Sequence, residues 1–470
     1  NTTYVPDDNF EAYLETHNAI GGVVPLGDPT SMGNGILDDD FVGTEKIQHI
    51  TNLNISNQGI TDLTGLEGFL ALEELRAFDN IISSGSLDLT ANTNLLIIAC
   101  GDMGLTSINV SGLKALMILD LNTNSLTNID VSTNTALENL QATNNLLSSI
   151  DVSINSSLRD LRVQGNNLIS MDLSVNTQLR YLSCWDNDLM NLDLQNNVLL
   201  ENLSCGENPL STIDVSMLSN LTDLFIEDTP TLTALDVTNN LNLEDIGVNN
   251  NTSLTTLDLS NLTKLIEVYT LGSHITTLDV SNSPDIEYIE AQNGKLTSLN
   301  LKNGNNSSDI ELYATGNPDL VCIQVDDPSA SYLSGWEKDA TASFSDDCNW
   351  TYIPDDRFED YLETHDADNN NVVVGDPTSM GNGIANDNFV KTANIENVTD
   401  LFIGFQGVTD LTGLEAFSAL EVVFLFNNTF TDTDLDLTAN TNLKRIEASS
   451  MGLTSVNITD LVGLERLEVS

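Results

Sequence analysis

The sequence predicts a mostly β solenoid, a coil of short repeats with a cap at each end. Three observations predict it. A pattern returns every 21 or 22 residues through eleven units, apolar and polar residues alternate within each unit as in a strand, and the rhythm breaks at both ends of residues 1–348.

The repeat is clearest where Leu, Ile or Met precedes Asp or Asn, then Val or Leu. The central residues are Asp88, Asn109, Asp130, Asp151, Asp172, Asp193, Asp214, Asp236, Asp258, Asp279 and Asn300. Between them runs L-x-x-L-x-[AVC]-x-x-N-x-L, as in LENLQATNNLL (137–147), LRDLRVQGNNL (158–168) and LRYLSCWDNDL (179–189). This motif resembles the leucine-rich repeat family. The resemblance implies a right-handed solenoid, its parallel sheet on the concave face.

The residues support the same reading. A unit this short cannot bury its own apolar face, so stacked units must share one core. In LRYLSCW, Leu179, Leu182 and Cys184 point inward while Tyr181, Ser183 and Trp185 point outward. Asn145, Asn166, Asn187 and Asn208 stand where the chain leaves the strand, and a column of inward Asn can satisfy bare backbone groups. The Leu-Asp-Val stretch alternates again, which predicts a second short extended segment on the far side. A 21-residue period leaves little room for helices, so the coil is closer to the internalin type than to the helix-backed type.

The ends carry the caps. PDDNFEAYLETH (6–17) opens with Pro and Asp-Asp and puts Phe10, Tyr13 and Leu14 on one face, which predicts an amphipathic capping helix. A polar loop, GDPTSMGNGILDDDFV (27–42), follows, and LVCIQVDDPSASYLSGWEKDATASFSDDC (320–348) breaks the rhythm at the other end. Both ends look like those of secreted leucine-rich repeat proteins of Bacteroidetes-type bacteria. That resemblance implies a disulfide between Cys322 and Cys348, a place outside the cell or on the outer surface of a Gram-negative bacterium, and export by the type nine route. Cys100, Cys184 and Cys205 all take the inward sixth strand position. They read either as small core hydrophobes or as reactive thiols, with a Cys184–Cys205 disulfide as a variant of the second reading.

The opening recurs. NTTYVPDDNFEAYLETH (1–17) returns in CNWTYIPDDRFEDYLETH (348–365), and the copies align without a gap from Asn1 with Asn349 to Leu121 with Val469. The predicted organisation is a cap (1–48), a solenoid (49–320) and a closing cap (321–348), then a second cap (349–396) and the start of a second solenoid (397–470). An open solenoid end is an aggregation hazard, so the expectation is a longer polypeptide carrying further tandem units.

Charge and motifs narrow the function. Fifteen Lys and Arg stand against 70 Asp and Glu, a net charge of −55 that repels nucleic acid and anionic lipid. No apolar run reaches the ~18 residues of a membrane span. None of the four His (His17, His49, His274 and His365) sits in a catalytic motif. The glycines near residue 33 neither follow a strand nor open a helix, so the expectation is no enzyme.

Three sets of residues are candidates for binding. Outward aromatics on the concave face come first: Phe78, Tyr181, Trp185, Phe225, Tyr269, Tyr288 and Tyr313, among Asp160, Asp186, Asp223, Glu227, Asp245, Glu267 and Glu290, with Arg162 a rare cation. They suit a protein or glycan ligand, or they merely stack across strands. The Asp column is second, compensated by backbone bonds or by Ca²⁺. Third is the loop GDPTSMGNGI, identical in both copies, where Asp28, Asn34 and Asp39 either bind Ca²⁺ or fix the turn. DADNNN (366–371) mimics the start of a calcium loop, but lacks the Gly and closing Glu. The reading is an extracellular adhesion protein; the alternative is a structural spacer of tandem capped units.

Overall fold

The computed structural model describes residues 1–431 and 433–469. The chain forms two compact units, Asn1–Ser345 and Asp346–Ser470. The first is a leucine-rich-repeat solenoid. Its main sheet has 14 parallel strands in chain order, from Asn52–Asn54 to Glu337–Lys338. Successive coils stay in phase: Leu140, Leu161, Leu182, Leu203 and Leu224 are direct neighbours and are all buried. Their strand neighbours face out. A slip of one residue would turn every buried Leu to water, so the repeat fixes the register.

The predicted Asn column forms. Asn166 is buried, donates to the carbonyls of Ala142 and Val163 at 2.9 Å each, and accepts from the Leu147 N–H at 3.0 Å. Asn145, Asn187 and Asn208 repeat this arrangement. A second column, not foreseen, runs beneath the Leu-Asp-Val stretch. Asn176 there is buried and donates to Val152 O at 3.1 Å and Asn155 O at 2.9 Å; Asn134, Asn155 and Asn197 do the same one coil apart.

The far-side strand is intermittent rather than continuous. It forms at Ser86–Asp88 with Ser107–Asn109, and again from Thr277–Asp279 through Ser298–Asn300 and Cys322–Gln324 to Ser343–Ser345. No strand forms in this stretch of the coils carrying Asp130 to Asp258.

The capping helix spans Asp8–Thr16 and buries Phe10, Tyr13 and Leu14. Asp7 caps it, accepting from Asn9 N at 3.1 Å and Phe10 N at 2.9 Å with one oxygen. Its other oxygen accepts from Thr61 N at 2.7 Å, Thr61 Oγ1 at 2.8 Å and Asp62 N at 3.1 Å, which fastens the helix to the first coil. At the closing end Trp336 is buried, donates to Ile310 O at 2.9 Å and meets Tyr332 and Phe344. Cys322 and Cys348 form the implied disulfide.

The second unit has its own core and repeats the opening. Helix Asp356–Thr364 is capped by Asp355, and four parallel strands follow, from Asp400–Phe402 to Arg466–Glu468. Among the described residues, no helix is long and apolar enough to cross a membrane.

Candidate binding face

The outward positions of the long sheet form columns, because each coil adds one strand in register. Four of the predicted aromatics meet there. Phe225 and Tyr269 have ring centroids 6.2 Å apart, Tyr269 and Tyr288 5.2 Å, and Tyr288 and Tyr313 5.7 Å. The strand between Phe225 and Tyr269 carries Gly247 at the facing position. A Cβ there would lie 2.6 Å from the Phe225 ring, so the glycine lets Phe225 lean across to Tyr269. Tilted rings at these separations are the favoured geometry of aromatic pairs.

Carboxylates flank the rings. Asp223, Asp245 and Glu267 stand side by side on adjacent strands. Burial, then Glu267 and Asp223 alongside, raise the Asp245 carboxyl to about 6. Burial and neighbouring acids likewise raise Glu227. The Tyr269 hydroxyl donates to Glu267, and Tyr313 donates to Glu311 at 3.2 Å. The ring ladder therefore has polar rims that are already oriented, along a strip of concentrated negative charge.

Tyr181 and Trp185 stand nearby but outside the ladder, 43% and 38% exposed. Trp185 and Phe225 border one shallow depression of about 240 Å³, floored by Ser204 and Gly206. Tyr181 borders another with Arg162, whose guanidinium is bound to Asp160 at 2.9 Å. Phe78 is exposed toward the other end of the sheet.

In the Asp column, each carboxylate turns back onto its own chain. Asp88, Asp130, Asp151, Asp172, Asp193, Asp214, Asp236, Asp258 and Asp279 accept the N–H two residues on, at 2.9–3.1 Å. The Ser or Thr hydroxyl and N–H bonds hold Asp130, Asp151, Asp172, Asp214, Asp236 and Asp258 below the usual carboxylate range.

In the cap loop, Asp28 accepts from Thr30 N at 2.8 Å and Thr30 Oγ1 at 2.6 Å, a local turn. Asn34 and Asp39 come together, with Asn34 Nδ2 donating to Asp39 Oδ2 at 3.0 Å and to Phe41 O at 2.7 Å. Among the described residues, no three His, Cys, Asp or Glu gather as a metal site. Two buried helix carboxylates organise this loop, and sequence reasoning missed both. Glu15 accepts from Asn34 N and Gly35 N, and Glu11 accepts from Asp39 N and Asp40 N. A Cβ on Gly33 would lie 2.0 Å from the Glu15 carboxyl, so any side chain there would displace the carboxylate.

Cys100, Cys184 and Cys205 are buried free thiols. Burial pushes Cys184 up to about 12 and raises the other two, so they act as core hydrophobes.

No family model and no curated relative matches the chain. Solved leucine-rich repeat structures do. The functional domain of InlJ from Listeria monocytogenes, which includes a cysteine ladder, is 27% identical; the match covers 72% of this chain and 81% of that one, with a TM-score of 0.49. A leucine-rich repeat protein of Leptospira interrogans is 17% identical over 91% of each chain, with a TM-score of 0.47. YopM from Yersinia enterocolitica is 18% identical over 89% of this chain and 91% of that one, with a TM-score of 0.46.

Proposed function

We propose that the chain is a binding protein of the outer surface of a Gram-negative cell, exported by the type nine route and used in adhesion. Its ligand, a protein or a glycan, docks on the concave face of the first unit. The observation that carries the reading is the run of four half-buried rings, Phe225, Tyr269, Tyr288 and Tyr313, on one face of the sheet, bordered by acids that make no ion pair among the described residues. Aromatic surface kept at the water boundary is a typical anchor, and adjacent like charges favour a ligand that brings positive charge. A basic protein segment fits this description best.

The spacer reading has one observation in its favour. The second unit replaces the outward Asn54 and Arg76 with Phe402 and Phe424, so the copies do not preserve one face.

The test is binding of the whole chain to surface-protein and glycan arrays, with and without Ca²⁺. Two variants run beside it, Tyr269→Ala/Tyr288→Ala and Tyr181→Ala/Trp185→Ala. A hit lost in the first variant supports the ladder, and one lost in the second moves the site to the neighbouring depressions. A hit lost only on chelation assigns binding to the Asp column or to Asp28, Asn34 and Asp39. A folded protein with no ligand on either array supports the spacer.

A further inference from the structure

The coil between the strands Tyr181–Ser183 and Asp223–Phe225 is small at two positions on the concave face. Ser183, Ser204 and Phe225 are direct neighbours across three strands. Two residues on, Trp185, Gly206 and Glu227 stand in the same order. Ser204 and Gly206 therefore leave a notch one coil wide, of about 240 Å³. Trp185 walls it on one side, Phe225 and Glu227 on the other, and Glu207 also lines it. The flanking strands are two spacings apart, roughly 9.5 Å.

The backbone keeps the notch open. A Cβ on Gly206 would lie 2.4 Å from the Glu227 carbonyl oxygen, so no side chain fits on the floor without moving the chain. On the far wall Phe225 and Glu227 both lean away, over Gly247. A Cβ there would lie 2.6 Å from the Phe225 ring and 2.9 Å from Glu227 Oε1. Asn249 Nδ2 donates to that oxygen at 2.8 Å and holds the carboxylate in place. On the near wall Trp185 is exposed.

The notch also lacks a counter-charge. Burial and the adjacent Asp186 and Asp228 raise the Glu207 carboxyl, and burial, Asp228, Glu290 and Glu207 act on Glu227 in the same sense. The cations of these coils are held elsewhere, Arg162 by Asp160 and Arg180 by Glu201. Among the described residues, no Lys, Arg or His pairs with Glu207 or Glu227.

We propose that this notch takes the guanidinium of an arginine side chain carried by the ligand. The inference rests on the reading of the concave face as a binding surface, and names one group that the ligand brings. An indole is the best aromatic partner for a cation, and a flat guanidinium stacks on it. Glu207 and Glu227 come from different coils, so a forked set of five N–H donors suits them better than a compact, strongly hydrated lysine ammonium. A metal ion fits poorly. The ring walls give it no oxygen, and among the described residues no third acid joins the pair as a ligand.

The experiment is saturation-transfer NMR on the whole chain at physiological salt. The probes are the blocked tripeptide Gly-Arg-Gly and the same peptide with lysine or citrulline in place of arginine. The arginine peptide should bind with its δ-methylene closest to the protein. The lysine peptide should bind about threefold more weakly or worse, and the citrulline peptide, which keeps the shape without the charge, should not bind. Ser204→Leu fills the notch without changing any charge and should abolish binding. Trp185→Leu should weaken it about fivefold and Glu227→Gln about tenfold. Thermal melts show which variants are folded, and the exposed Trp185 position keeps the test decisive if Ser204→Leu is not. Glu45→Gln/Asp285→Asn removes two charges outside the notch and should change nothing. Equal binding of the lysine or citrulline peptide, unchanged binding in Trp185→Leu or in folded Ser204→Leu, or an equal loss in the outside double variant would each overturn the proposal. So would failure of the arginine peptide to bind. The array ligand and Tyr269→Ala/Tyr288→Ala are read separately, so that failure leaves the concave-face reading standing. Arginine bound in the notch beside silent arrays upholds this inference and removes the adhesion reading instead.

Discussion

Residues 1–121 and 349–469 are two copies of one opening, and what they share differs in kind from what they do not. Many of the retained residues bond to the backbone or fill the core. Asp355 makes the bonds of Asp7, to Arg357 N and Phe358 N and to Thr409 and Asp410. Glu359 and Glu363 hold the loop of the second copy as Glu11 and Glu15 hold the first. Phe358 stacks on Phe417 with the 6.3 Å and 18° geometry of Phe10 on Phe69. Outward positions changed freely: Asn54 became Phe402, Glu74 became Val422 and Arg76 became Phe424. Phe402 and Phe424 now meet at 4.7 Å, with the Arg445 guanidinium over the Phe424 ring. The frame is held by side chain-to-backbone bonds that recur in both copies. The face carries no such constraint, so recognition can diverge there while the fold stays the same.

The largest expected effect tests the shared frame. Asp7→Ala removes a helix cap and leaves the N–H groups of Thr61 and Asp62 without their acceptor, a loss of about 3 kcal/mol. Asp355→Ala should cost the second unit a similar amount. Urea unfolding of each variant checks this, and a loss confined to one unit would break the equivalence of the copies. Next is the second Asn column. Asn176→Ala should cost about 2 kcal/mol, because it strips donors from two buried carbonyls. Ser174→Ala on the same coil is the exposed comparison and should cost far less.

The two units should also respond to pH. Burial first, and then Asp387 nearby, raise the Glu359 carboxyl from 4.5 to about 7, and Asp245 in the first unit rises from 3.8 to about 6. A raised carboxyl favours the folded state when protonated. That stability is complete below the unfolded value and is lost as pH climbs through the folded one. The turn-bonded Asp residues, held low, act in the opposite sense and lose their contribution as pH falls below 3.8. Thermal melts should therefore show the midpoint rising from pH 8 to pH 5 and falling in stronger acid. Glu359→Gln should flatten the response of the second unit, and Asp245→Asn that of the first. A midpoint that falls steadily from pH 8 would contradict both assignments.

Much of this was legible in the sequence, because a 21-residue period repeats the same evidence many times. The buried Leu positions, the Asn145 column, the cap helix, the doubled opening and, through the resemblance, the Cys322–Cys348 bridge all followed from pattern. What escaped depends on single contacts between residues distant in sequence. Glu11 and Glu15 look like ordinary solvent-facing helix acids until the loop of residues 33–40 folds over them. The Asn of Ser-Ile-Asn and Ser-Val-Asn was visible at 155 and 176, but nothing local says that it turns inward. The aromatic list was right in composition but not in grouping. Gly247 joins Phe225 to Tyr269, whereas Tyr181 and Trp185 fall outside the chain of rings.

The smallest expected effect concerns the Asp column, where the copies agree. Asn109 donates to Asp88 at 3.3 Å and Asn457 to Asp436 at 3.1 Å, so both units place Asn beside Asp without disturbing the coil. Asp172 accepts the Ser174 N–H at 2.9 Å through one carboxyl oxygen, and an amide oxygen can accept the same bond. Asp172→Asn should therefore leave the melting temperature unchanged within error, with or without Ca²⁺, while relieving a little of the repulsion between neighbouring coils. Calcium bridging requires the opposite, because a hard cation loses a charged ligand when Asp becomes Asn. Melts of the wild type and of Asp172→Asn in chelator and in millimolar Ca²⁺ separate the two readings. If Ca²⁺ raises the wild-type midpoint and the variant loses that gain, the column is an ion site and the backbone bonds are only its resting state. If neither protein responds, the carboxylates serve the turns, and the −55 charge acts at long range on whatever approaches the face.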